Sequence, residues 1–418
     1  MNKSHSNWKE YSFKDFCDIT SSKRIFYREY VKSGVPFYRS KEIIAKSNGK
    51  ELNDCLYISK DRFEEIKNKY GIPINGDILI TAVGTYGIPY LINEDGDFYF
   101  KDGNLIWLKN IKNTANNKFL FYWLKSEEAK NKIEKIIIGS VQKALTIDAM
   151  KNIKINLPPL AEQKRIASIL SSFDDKIELN NKTNKILEEM AQTIFEEWFI
   201  NFNFPNEDGK PYKKSGGEMI GSELGGIPKG WKILTLKDIV NIVKGKKPTA
   251  TSDKITKKFT MPYLTIDCYN NEKSEYAEYN EKMHVKELDI VMVMDGNAGR
   301  IFYGKEGILS STMAKFVIED ENLNEIVFNF LKSIEYDLMY HTVGSVIQHA
   351  DKQYILNKKF CVPINNLERL SDIFKEIRRK VALNKKENEK LAKIRDSLLP
   401  KLMAGEIRID KNFETINF

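Results

Sequence analysis

The chain repeats itself, and that constrains its fold more than any other feature. Trp8-Lys9, followed by Phe13-Lys14-Asp15-Phe16, returns as Trp231-Lys232 followed by Leu236-Lys237-Asp238-Ile239 at the same spacing. Pro36-Phe37 matches Pro262-Tyr263. Asp77-Ile78-Leu79 with Gly84 and Gly87 matches Asp289-Ile290-Val291 with Gly296 and Gly299. Leu124-Lys125-Ser126 returns as Leu331-Lys332-Ser333, and Gly139-Ser140-Val141 as Gly344-Ser345-Val346. The match runs on from Lys176-Ile177 through Leu179, Asn180, Asn184 and Leu187 to Lys380-Val381 through Leu383, Asn384, Asn388 and Leu391. Each pair alone is weak. All of them in one order, at a nearly steady offset, mark a duplication.

Each copy has two parts. The first alternates short apolar runs, such as Asp77 to Val83 and Leu105 to Leu108, with Gly, Asn, Asp and Pro, which predicts strands and turns. Phe119 to Ile138 and Glu325 to Tyr340 are expected to be helices. The second part differs. Leu160 to Phe199 contains neither Pro nor Gly, and Ile166, Leu170, Phe173 and Ile177, then Leu187, Ala191, Ile194 and Trp198, fall three or four apart within each set. Pro158-Pro159 stops anything earlier from entering that helix. At about 1.5 Å per residue the rod is roughly 60 Å long. A second such helix, from about Leu367 to Met403, carries Ile373, Ile377, Val381, Leu391, Ile394 and Leu398.

Asn180, Asn184, Asn384 and Asn388 interrupt the two stripes. Facing water is one reading. Recurrence at equivalent places favours the other, that they fix helix register within a coiled coil. The two helices are expected to pack antiparallel, which would place one globular part at each end. Asn203 to Gly230, rich in Gly, Pro, Lys and Glu, is expected to be an aperiodic linker. Phe195, Trp198, Phe199, Phe202 and Phe204 either pack the helix end against a domain or form a partner-docking surface.

The fold expected is therefore mixed α/β (α+β): two pseudo-repeated domains separated by long helices. The division is 1–157, domain; 158–203, helix; 204–229, linker; 230–363, domain; 364–405, helix; 406–418, tail.

Composition permits several roles and excludes some. The chain has 418 residues, with 66 Lys+Arg against 58 Asp+Glu, a net charge of +8. That excess allows a polyanionic partner without requiring one. Cys17, Cys55, Cys268 and Cys361 are scattered, with no zinc-ribbon spacing, and fit a reducing compartment. Met1 to Trp8 is polar and no apolar run is long enough to span a bilayer, so a cytoplasmic protein is expected. No phosphate-binding loop, HExxH, GxSxG or methyltransferase signature occurs. His5, His284, His341 and His349 are too dispersed to suggest a metal site. No catalytic residue, metal or resident cofactor is expected, and binding is the better reading.

Several segments resemble the specificity subunits of type I restriction-modification systems. They are Leu157-Pro158-Pro159-Leu160-Ala161-Glu162-Gln163-Lys164-Arg165-Ile166, the helix end Phe195-Glu196-Glu197-Trp198-Phe199, and the linker from Gly209-Lys210-Pro211-Tyr212 to Ile227-Pro228-Lys229-Gly230-Trp231. Leu398-Leu399-Pro400-Lys401-Leu402-Met403-Ala404-Gly405-Glu406-Ile407 and Gly139-Ser140-Val141-Gln142-Lys143 complete the set. The second copy departs at Val362-Pro363-Ile364-Asn365-Asn366-Leu367-Glu368, where the Pro-Pro-Leu-Ala-Glu-Gln helix start is missing.

The resemblance implies that each globular part is a target-recognition domain reading half of a bipartite, asymmetric double-stranded DNA site. It implies that the helices space the halves and carry two methyltransferase subunits, joined by restriction subunits with a motor. S-adenosylmethionine, ATP and Mg2+ would act on those partners, which must extrude the target adenine. The competing readings are an interaction scaffold without DNA reading and an enzyme with an unfamiliar site.

Base readout needs donors and acceptors on loops, and phosphate contacts need Lys, Arg or small polar groups. In the first copy the candidates are Arg39, Ser40, Lys41, Thr85, Tyr86, Gln142 and Lys143. In the second they are Lys246, Lys247, Thr265, Asp267, Asn297, Arg300, Gln348 and His349. The loops share scaffold positions and differ in side chains, as readers of two different half-sites should.

Overall fold

The computed structural model describes residues 7–50, 52, 54–94, 96–138, 143–270, 272–344 and 348–409. The chain divides into two compact units. The first comprises the described residues up to Glu178 together with those from Lys390 on; the second runs from Leu179 to Glu389.

The first unit contains β1 (Lys9–Ser12), α1 (Phe13–Phe16), β2 (Asp18–Thr20), β3 (Tyr30–Val31), β4 (Val35–Tyr38), α2 (Ser40–Ser47), β5 (Leu56–Ile58), α3 (Lys60–Tyr70), β6 (Ile78–Thr81), β7 (Pro89–Leu91), β8 (Tyr99–Phe100) and β9 (Leu105–Lys109). It continues with α4 (Asn117–Lys125), α5 (Glu127–Ile136), α6 (Ile147–Lys151), β10 (Lys154–Leu157) and the start of α7 (Leu160–Phe195). One sheet has the order β2-β9-β6-β7, all antiparallel. Another has the order β3-β5-β4-β8, with β4 and β8 parallel. A third ribbon pairs β1 with β10.

The second unit holds the end of α7, then β11 (Met219–Ser222), β12 (Gly225–Pro228), β13 (Trp231–Thr235), α8 (Leu236–Ile239), β14 (Asn241–Lys244), β15 (Met261–Leu264), α9 (Ile266–Tyr269), β16 (Tyr276–Ala277), β17 (His284–Val285), β18 (Ile290–Val293), β19 (Ile301–Phe302), β20 (Gly307–Leu309) and β21 (Met313–Val317). There follow α10 (Glu321–Ser333), α11 (Glu335–Tyr340), β22 (Thr342–Val343), β23 (His349–Ala350), α12 (Lys352–Leu356), β24 (Lys359–Pro363) and the first part of α13 (Leu367–Met403). Several of its strand pairings repeat those of the first unit. The order β14-β21-β18-β19 matches β2-β9-β6-β7, β13 with β24 matches β1 with β10, and β15 lies parallel to β20 as β4 does to β8. The order β16-β15-β20-β17 departs from β3-β5-β4-β8, because β17 pairs with β20 where β8 is an edge, so the duplication in sequence is a duplication in most of the topology.

Two expected single helices are each split. Ser126 ends α4 and caps α5, its hydroxyl accepting a hydrogen bond from Ala129 N at 3.3 Å. Ile334 divides α10 from α11 without a side-chain cap, its backbone N–H donating to Phe330 O. A serine side chain competes for backbone donors, so an apolar period that runs through it still breaks there. The expected aperiodic linker contains the β11–β12 hairpin, closed by Ser222 and Gly225.

The long helices pair antiparallel within each unit. In the first, Arg408 approaches Glu162 and Arg395 bonds Asp174, so one helix descends as the other ascends. Leu402 and Met403 complete the core built on Phe13, Phe16, Trp123, Ile166 and Leu170. In the second, Phe195 and Phe199 of the α7 end pack with Phe374 and Val381 of α13 and with Trp231. The helix widens there into a π-helical turn, Glu196–Ile200, which stacks Phe195 on Phe199 at 5.1 Å. Phe202 and Phe204 close over Trp231, so the aromatic cluster is packing for the helix end. Along α13 the buried stripe is Leu370, Phe374, Val381 and Ala382. Ile373 and Ile394, expected in that stripe, are exposed.

The asparagines meet in pairs, all within the second unit. Asn384 Nδ2 donates to Asn184 Oδ1 at 2.7 Å, and Asn180 Nδ2 donates to Asn388 Oδ1 at 2.8 Å. Asn180, Asn184 and Asn384 are buried. The amides satisfy one another, as burial requires.

The helix starts differ as their sequences do. Gln163 is fully buried; its Nε2 donates to Thr114 O and Pro158 O, and its Oε1 accepts from Asn116 N. This single side chain ties the helix start to β10 and to the cap of α4. At the corresponding place in the second unit no such side chain stands. A cavity of about 510 Å³ opens there between Pro363, Asp320, Asn322, Leu367 and Glu368.

Candidate nucleic-acid interface

In the first unit the candidate loops converge on one end of the two four-stranded sheets. The turn Lys101–Asn104 between β8 and β9 is their hub. Ser40 Oγ donates to Asn104 O at 3.3 Å, Ala82 N donates to Asn104 O at 2.8 Å, and Ser21 Oγ donates to Leu105 O at 2.9 Å. Gly84 N reaches Lys143 O, and Val83 pairs with Ala144. The ends of β2, β4 and β6 and the segment at 143–144 are thereby brought side by side.

The second unit gathers the same places around the turn Ser310–Thr312. Ser310 N donates to Leu264 O, Met294 N to Thr312 O, Gly245 N to Met313 O and Gly296 N to Gln348 O. Gly245 is required there. A Cβ at that position would lie 2.1 Å from Ser310 O. The paired turns Gly84–Gly87 and Gly296–Gly299 all hold glycine at positive φ, which other residues adopt with strain.

Individual side chains take different parts. Arg39 caps α2 and its Nη2 binds Glu42 Oε1 at 2.7 Å. Burial alone would raise the Glu42 carboxyl, but the hydrogen bonds from Arg39 hold it below its ordinary value. Thr265 caps α9 by accepting from Cys268 N. Arg39, Ser40 and Thr265 thus have local structural partners. Lys41, Thr85, Lys143, Lys246, Lys247, Asp267, Asn297, Arg300, Gln348 and His349 are exposed. Tyr86 is half-buried beneath Lys143, whose Nζ lies 6.0 Å from the ring centre. Gln142 lies outside the described residues, as do Gly139, Ser140 and Val141.

Two groups escaped the sequence reading. Lys23-Arg24 follows β2 as Lys246-Lys247 follows β14; carrying the repeat offset across would have found it. Asp295 was missed as well. It accepts from His349 Nδ1 at 2.7 Å and pairs with Lys244 at 2.9 Å. Burial works to raise its pKa, yet the hydrogen bonds from His349 and Lys244 bring it below the usual carboxylate value. The bridge Asp295–His349 is the counterpart of Val83–Ala144. One backbone pairing therefore presents an acid and an imidazole in one unit and two apolar groups in the other.

Among the described residues no cluster of His, Cys, Asp and Glu could hold a metal ion, and no helix is long and apolar enough to cross a membrane.

A family model described as the type I restriction modification DNA specificity domain matches residues 5–189 and, separately, 228–393. The chain belongs to this family. The two matches fall on the two copies, so each copy is a DNA specificity domain, and the chain is built as a specificity subunit. It is 28% identical over 322 residues to the type I restriction enzyme MjaIX specificity subunit of Methanocaldococcus jannaschii, covering 72% of this chain and 71% of that one. It is 24% identical over 476 residues to the type I restriction enzyme HindI specificity subunit of Haemophilus influenzae, covering 96% and 100%. The crystal structure of the type I restriction-modification S subunit from M. genitalium has the same fold, with a TM-score of 0.59, 16% identity and 99% of both chains covered.

Proposed function

We propose that this specificity subunit reads a bipartite, asymmetric DNA site, one half-site per domain, and itself catalyses nothing. The recognition domains are residues 1–157 and 230–363, and the spacers are 158–203 and 364–405. The observation that carries the reading is the pair of equivalent loop clusters with unlike side chains, Val83 and Ala144 against Asp295 and His349. A conserved backbone frame with exchanged functional groups is what two readers of different sequences need.

Two methyltransferase subunits dock on the helical spacer and supply methyl transfer with S-adenosylmethionine. Restriction subunits bring the ATP- and Mg2+-dependent motor. The complex works in the cytoplasm on double-stranded DNA. The helices set the gap between half-sites, so inserting one helical turn into either should alter the gap and leave the half-sites unchanged.

Mapping N6-methyladenine in DNA from cells carrying this chain and its methyltransferase tests the reading. A split, asymmetric motif is expected. A continuous palindrome would overturn it.

A further inference from the structure

Between β2 and β3 the first unit holds two aromatic rings out in water on a braced support. Tyr27 is 88% exposed and Phe26 is 53% exposed. They are not there because the segment is loose. Ile25, immediately before them, is buried with Phe37, Phe63, Ile66 and Tyr99. Phe26 N donates to Glu29 Oε2 at 2.7 Å, and Glu29 in turn pairs with Arg62 of α3 at 2.9 Å. Lys23 N donates to Tyr99 Oη at 2.7 Å, and Tyr30 is hydrogen-bonded into β3–β5. Tyr27 leans edge-on against Tyr30, at 5.8 Å between centres, and Arg28 lies over the Phe26 ring.

Large apolar rings on a rigid mount, left uncovered, cost hydration free energy unless something covers them in use. The surroundings say what. Lys23, Arg28 and Lys32 supply positive charge along the segment, beside an Arg24 that is paired with Asp102. Its acids are engaged: Glu29 with Arg62, and Asp102 with Arg24. The segment also begins inside the loop cluster, since Ser21 bonds both Leu105 O and Gly103 N at the hub turn. Charge and position both fit a nucleic acid duplex.

We infer that Phe26 and Tyr27 form an aromatic wedge that stacks on an opened base step of duplex DNA, and that only the first half-site is distorted in this way. This rests on the DNA-reading role above. Stacking of an inserted ring on a base step is a known way to kink a duplex, and its cost depends on the step being opened. The wedge therefore selects by deformability where no base edge is touched. Among the described residues, the segment after β14 has no pair of exposed rings: its one aromatic, Phe259, is half-buried with Lys258 over it, its exposed apolar side chain is the aliphatic Ile255, and Lys246, Lys247, Lys254, Lys257 and Lys258 suit phosphates.

The test uses the full chain assembled with its methyltransferase, on duplexes of the mapped site carrying 2-aminopurine at successive positions other than the target adenine. The wild-type complex should raise fluorescence at one step, in one half-site. Tyr27→Ala and the Phe26→Ala/Tyr27→Ala pair should abolish that rise and weaken binding about tenfold, the order of one lost base stack. Tyr27→Phe should retain both. The wild-type scan needs no variant to fold, and both rings are exposed enough for truncation to be tolerated. A flat scan, a rise in both halves, or a rise undiminished in Tyr27→Ala overturns the wedge. So does loss of methyltransferase association in Tyr27→Ala without DNA, which would assign the rings to a protein partner. If methylation mapping shows a split motif and the scan is flat, only the wedge fails. If no split motif is found, the DNA-reading role fails first.

Discussion

Asn384 and Asn184 face each other across the antiparallel helices, amide to amide, at 2.7 Å and out of water. The bond from Asn180 to Asn388 is its image under the repeat, because each residue's equivalent sits on the opposite helix. Other apolar registers of these helices would leave amides unpaired in an apolar seam. Asn184→Leu alone should therefore destabilise the protein by ~1–3 kcal/mol, since it strands Asn384. Asn184→Leu with Asn384→Leu should recover most of that loss. Urea denaturation of the two singles and the double reads the coupling; simple additivity would refute the pairing.

Gln163 makes three hydrogen bonds from a fully buried position. Gln163→Leu should cost ~2–4 kcal/mol, because it leaves Asn116 N, Thr114 O and Pro158 O without that partner. Leu367→Gln in the second unit should gain nothing comparable, since the space there is open. Thermal denaturation of both variants checks the contrast.

The Asp295 carboxyl is held below its ordinary value by His349 and Lys244, against the opposing effect of burial. A depressed carboxylate stabilises the fold above its unfolded pKa and loses that contribution as pH falls through the folded value. Asp295→Asn should lower stability at pH 7 by under ~1 kcal/mol, because the group is partly solvated. The difference should begin to shrink as pH falls below about 4, the ordinary carboxylate value, and close only below the folded pKa. Melting curves between pH 3 and pH 7 decide it; a constant difference across that range would remove the ion pair from the account.

Lys246 and Lys247 are exposed and follow β14 at the loop end of the sheet. If they meet phosphates, Lys246→Gln with Lys247→Gln should weaken DNA binding for all sequences alike. The slope of log K against log salt should fall by roughly two, about one per lost contact. A change confined to one base position would instead make them base readers.

The architecture was legible where the physics is local and periodic. Repeated spacing identified two copies, and the absence of Pro and Gly from 160 to 199 identified a long helix. The break at Ser126 was not legible, because apolar periodicity says nothing about a hydroxyl that captures a backbone donor. The hairpin at 219–228 was hidden for a related reason, since Gly-rich short strands lack alternation. Among the loop candidates, Asn297 was picked from its flanking glycines and Gln348 from the repeat, and both are exposed. Asp295 was not, because its partners Lys244 and His349 lie far away in sequence and only the sheet brings them together. Phe26 and Tyr27 were invisible for the opposite reason. An aromatic pair in sequence is normally core, and only the fold reveals that these two are turned outward.

The first unit is closed by Leu402 and Met403, from the far end of the chain. During synthesis the residues up to Glu178 emerge early, yet Leu402 and Met403, which pack on the start of α7, are made much later. The whole of residues 179–389 must be translated in between. At ~5–20 residues per second that wait is on the order of tens of seconds. Through that interval Ile166 and Leu170 have Phe13, Phe16 and Trp123 but lack Leu402 and Met403, and a ribosome that stalls before α13 is made leaves the first unit unfinished. Release of α13, and not emergence of the residues up to Glu178, is what completes the first unit.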